Sequence, residues 1–214
     1  MSSAVTNRRS PGRGERGFSV IELLVVMAIL AIMLTVAIFS LPTQKKSLAV
    51  DFTSAQVIDL LRFANQRALA ERQVMRLEIT ASTDTTPGQI VVIDQETLAG
   101  GTGDDTVIRT ETLVPKAEVA IATATSTLNL PPIPFNFNWA QFTSNKLTLY
   151  FSPDGLVTNA AGTVPQSMSL LFYTPLPDGK PDPALTRAAT IFGPTSSVRP
   201  WYFDSNTNNF VELN

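Results

Sequence analysis

An α+β fold is predicted from this 214-residue sequence: a long N-terminal helix, its first half apolar enough to be transmembrane, packed on an antiparallel β-sheet. Three observations predict it. Phe18 to Leu41 is an apolar run with a single charge, Glu22. Beyond Pro42 the apolar residues recur at helical spacing as far as Glu71. After Arg72 the period changes to two, and the remaining chain is punctuated by most of the fifteen prolines and eleven glycines, as turns between strands require.

The chain divides by composition into four segments. Residues 1–17 carry Arg8, Arg9, Arg13 and Arg16 against Glu15, with Pro11 and three glycines. Nothing there can bury a face, so a disordered leader is expected. The 24 positions of 18–41 give a helix of roughly 36 Å. A bilayer core is about 30 Å thick, and a secretory h-region is only about 7–15 residues. The small residues around Thr35-Val36-Ala37 leave a cleaved secretory signal as an alternative. The basic leader places the N-terminus in the cytoplasm and the rest of the chain across the membrane; Lys45 and Lys46 oppose four arginines only slightly.

Pro42 has no N–H to donate, so a bend or short break is expected there. The segment 42–72 then continues the helix, with Leu48, Phe52, Ala55, Ile58 and Leu61 as its core-facing stripe. The segment 73–214 is expected to be a β-rich globular domain. Val74–Ile79 and Gln89–Asp94 read as a hairpin, and further strands are expected at Val107–Leu113, Glu118–Ala122, Lys146–Phe151, Ser167–Tyr173, Ala188–Phe192 and Val198–Phe203. Phe151-Ser152-Pro153-Asp154-Gly155-Leu156 reads as a tight turn. The Pro-rich stretches Leu130–Pro134 and Pro175–Pro183 read as connectors.

Composition bounds the chemistry. With no Cys and no His, disulfides, thiol catalysis, Cys/His zinc sites and imidazole mechanisms are excluded. A Ser-His-Asp triad is therefore excluded as well. Gly100-Gly101-Thr102-Gly103 lacks the Lys-Ser/Thr of a phosphate-binding loop. Asp104-Asp105 and Asp178-Gly179-Lys180-Pro181-Asp182 are read as solvated turns in preference to calcium loops, because the liganding spacing is absent. Phe135, Phe137 and Trp139 would share one strand face, as core or as a subunit interface. No enzyme activity, cofactor or metal is expected.

Glu22 has two readings. It can sit near the helix end and reach water, or it can need a cation inside an assembly, because a buried membrane acid costs about 2.5–3.5 kcal/mol. A cut after Gly17 would give Phe18 a free α-amine, largely positive at neutral pH. That amine lies four positions from Glu22, on the same helical face.

Gly17-Phe18-Ser19-Val20-Ile21-Glu22 followed by an apolar helix resembles the class III signal of type IV pilins and pseudopilins. The resemblance implies a pilin-like fold. It also implies cleavage between Gly17 and Phe18 by a prepilin peptidase, N-methylation of Phe18, and Glu22 as the residue that guides subunit docking. Partners would be other pseudopilins or minor pilins, the peptidase and an inner-membrane assembly platform.

Arg62-Phe63-Ala64-Asn65-Gln66-Arg67-Ala68, the Phe151–Gly155 turn and the stretch Ala188–Arg199 are similar to minor pseudopilins of the GspH/FimT type. That implies a structural subunit of a type II secretion pseudopilus: single-pass in the bacterial inner membrane, with its C-terminal domain periplasmic. The alternatives are a minor or major type IV pilin, or a membrane-anchored periplasmic binding domain that never polymerises. Nucleic acid is not an expected partner. From Asp84 onward there are six basic and twelve acidic residues, and Thr195-Ser196-Ser197-Val198-Arg199 stands where FimT-like proteins are often Gly-Arg rich.

Overall fold

The computed structural model describes residues 19–83, 86–95, 105–123, 128, 131, 142–160 and 162–213, and of residues 36–43 the backbone alone. The chain forms two compact units, Met1–Pro42 and Thr43–Asn214. The expected leader, the Gly100–Gly103 loop and the Phe135–Trp139 stretch lie outside the described residues.

In the first unit the described structure is the N-terminal part of helix α1 (Val20–Glu71). Ser19 precedes it, and its carbonyl accepts the first helical N–H, from Leu23, at 3.1 Å. The expected break at Pro42 does not occur, because α1 is one element through that residue. Proline forfeits its bond to the carbonyl four residues back and its ring crowds that carbonyl, but its fixed φ of about −65° is already helical.

Among its described residues the second unit holds the remainder of α1 and ten strands. They are β1 (Val74–Thr80), β2 (Gln89–Gln95), β3 (Thr106–Thr112), β4 (Ala120–Ala122), β5 (Lys146–Phe151), β6 (Val157–Thr158), β7 (Met168–Pro175), β8 (Pro181–Phe192), β9 (Ser197–Asp204) and β10 (Asn209–Glu212). The expected single sheet is two five-stranded sheets, ordered β3-β2-β1-β5-β6 and β10-β9-β8-β7-β4. All pairings are antiparallel, and β1 and β2 form the expected hairpin with Leu77 opposite Val92.

One core joins the helix to both sheets. Val57, Leu60, Leu61 and Ala64 of α1 cluster with Met75, Leu77 and Ile79 of β1, Leu147, Leu149 and Phe151 of β5, and Met168, Leu170 and Phe172 of β7. Each such side chain contributes about 1.5–3 kcal/mol by leaving water. The second sheet is apolar on its other side too, where Leu171, Ala188, Trp201, Phe203 and Phe210 form a separate cluster. Trp201 Nε1 stays satisfied there by donating to Thr190 Oγ1 at 2.9 Å. This two-sided burial explains the continuous apolar run in β7.

The two sheets are laced together at their turns. The expected turn after Phe151 is present: Ser152 N–H donates to the Leu156 carbonyl at 2.9 Å, and Gly155 has φ +82°. Ser196 Oγ donates to the Gly155 carbonyl at 2.7 Å. Val157 N–H donates to the Gly193 carbonyl at 2.8 Å. Gly193 N–H in turn donates to Ser167 Oγ at 3.1 Å.

Candidate assembly site

Gly17 and Phe18 lie outside the described residues; Glu22 lies in the first helical turn and is exposed. A carboxylate there faces the positive end of the helix dipole, a favourable placement of about 0.3–1 kcal/mol. The surface that follows is apolar on every side. All described side chains from Ser19 to Thr35 are exposed, the large hydrophobic ones ranging from 48% at Val26 and Ile29 to 80% at Val20. A helix apolar all round is stable in water only when something covers it. The single hydroxyl at its far end satisfies itself, since Thr35 Oγ1 donates to the Ala31 carbonyl at 2.8 Å. Back-bonding of this kind removes the penalty of an unpaired hydroxyl in an apolar setting.

The expected span at 18–41 is not supplied by the structure. Among the described residues no helix is long and apolar enough to cross a membrane; Phe18 and the side chains of 36–41 lie outside them.

Further along α1, the second unit turns the expected helix face around. The buried side is Val50, Thr53, Ser54, Val57, Leu60, Leu61, Ala64 and Ala68. Ile58 and Leu61 are buried as expected, whereas Leu48 is 68% exposed, Phe52 is 65% exposed and Ala55 is exposed. Polar contacts flank the buried side. On one side Asp51 Oδ1 meets Arg187 Nε of β8 at 2.8 Å. On the other, Gln56 Nε2 donates to Glu111 of β3 at 3.3 Å, Asp59 meets Arg109 at 3.5 Å, and the Arg109 guanidinium lies 5.5 Å from the centre of the Phe63 ring. Leu48 and Phe52 lie outward of these contacts. Ala64 and Ala68, one turn apart, let the helix backbone approach the strands closely; they belong to the Arg62–Ala68 stretch that sequence reading singled out. Phe52 as an exposed residue was missed, because its helical spacing to Leu48 and Ala55 looks the same whether the stripe is core or surface.

The carboxylates of the 178–182 turn are held by backbone N–H groups, and that of Asp105 by an arginine. Asp178 Oδ1 accepts the Lys180 N–H and Asp182 Oδ1 the Ala184 N–H, while Asp105 Oδ2 accepts from Arg76 at 2.7 Å. In the β9–β10 turn, Asp204 accepts the Asn206 N–H at 2.9 Å, and this holds its carboxyl below the ordinary 3.8. Among the described residues no group of three or more potential ligands is placed to hold a metal ion. Arg199 of the expected basic strand is exposed and lies 3.5 Å from Glu212.

Comparison with protein families gives one match. Residues 12–38 match the prokaryotic N-terminal methylation motif. The match takes in the last six leader residues with Arg13 and Arg16, Gly17-Phe18, Glu22 and the apolar run through Ile38. It supports a type IV pilin-like protein, and such a motif implies processing by a prepilin peptidase and assembly with other pilins. No curated protein and no solved structure matches the chain.

Proposed function

We propose that the chain is a minor pseudopilin similar to the GspH/FimT type: a structural subunit of a bacterial type II secretion pseudopilus, with no catalytic role. In this reading the leader stays in the cytoplasm and residues 18–41 cross the inner membrane once. The peptidase cuts between Gly17 and Phe18 and methylates the new Phe18 amine. The β-rich domain sits in the periplasm. An assembly platform then moves the helix out of the bilayer into a short fibre.

The observation that carries the reading is the methylation motif at 12–38 leading into an apolar helix surface exposed on all sides. Lipid covers such a surface before assembly, and neighbouring helices cover it after. Glu22 then does the work of register. Its carboxylate is costly in hydrocarbon, by about 2.5–3.5 kcal/mol at the bilayer centre. A neighbouring subunit's Phe18 amine neutralises it at one axial position only. The outward Leu48 and Phe52 support the same reading, since they offer a second apolar face below the membrane half.

Replacing Glu22 by Ala tests this. The variant is expected to insert and be cut normally, yet to be lost from isolated fibres, with secretion reduced at least tenfold. A Glu22→Ala chain that still assembles and supports secretion would contradict the proposal. If a deletion abolished pili while leaving secretion intact, the chain would be a type IV pilus subunit, which uses the same N-terminal physics.

A further inference from the structure

We draw no further inference here: the strongest candidate, the polar cavity of about 200 Å3 between the end of β1 and the edge strand β4, lined by Ser82, Lys116, Asn145 and Tyr173 among others, has its one charged lining group, Lys116, already engaged within the chain and no described lining side chain buried without a partner, so nothing in it points to a ligand.

Discussion

Single side chains divide here into those that serve the fold and those left over by it. Asp94, at the β2 end, serves neither well. Burial raises its pKa above 3.8, the nearby Glu71 raises it further, and Arg67 opposes both. A raised native pKa means that the folded chain holds the proton more tightly than the unfolded one. The group therefore costs no stability at pH below 3.8, and its penalty develops as pH rises through the native value. Asp94→Asn is expected to hold or raise the melting temperature at pH 7 and to lose that advantage near pH 3; a clear loss at pH 7 would contradict this account. Arg199 is left over in a different sense. Its carboxylate neighbour Glu212 and the acidic body around it argue against a phosphate-binding role. An Arg199→Ala chain should retain DNA in a gel shift no differently from the parent, and a loss of measurable binding would overturn that judgement.

Among the elements, α1 carries two faces with opposite sensitivities. Ala64 and Ala68 are fully buried against the strands. Ala64→Leu is expected to cost about 1–3 kcal/mol by overpacking, read as a fall in melting temperature. Phe52→Ser should leave the unfolding free energy within about 0.5 kcal/mol of the parent, as surface changes do, while weakening fibre incorporation. At Gly193 an added Cβ would lie 2.5 Å from the Gln166 carbonyl oxygen, so Gly193→Ala should destabilise the seam between the sheets by more than the loss of one hydrogen bond, about 1 kcal/mol. Most of these elements were legible in advance. The strands β1, β2, β5 and β9 fold within a residue or so of their expected bounds, β1 on its alternation and β2 on its apolar run Ile90–Ile93. Two kinds of feature were not. The stretch Pro181–Phe192 is one twelve-residue strand although its first part reads as a Pro-rich connector, because proline is tolerated where a strand begins and Pro181 pairs across a register shift with Pro175. The strands β6 and β10, of two and four residues, are too short to show a period. The helix face was misread in part because periodicity reports that a stripe is apolar and not what covers it; the side that packs, with Val57, Leu60, Leu61 and Ala64, is set by strands distant in sequence.

At the scale of the whole molecule, the net charge of −2 averages unlike parts. The leader holds four Arg and one Glu, so a chain beginning at Phe18 carries 12 basic and 17 acidic residues, a net of −5. A cut after Gly17 would therefore leave an acidic β-rich body and one nearly uncharged helix, and would offer in the Phe18 amine a cation for Glu22. The central claim is that cut. Its most direct test is N-terminal sequencing, with mass spectrometry, of the chain recovered from membranes of a host that has the prepilin peptidase. The account predicts a start at Phe18 bearing a methyl group. An intact Met1, or a start near Ile38 left by ordinary signal cleavage, would contradict it.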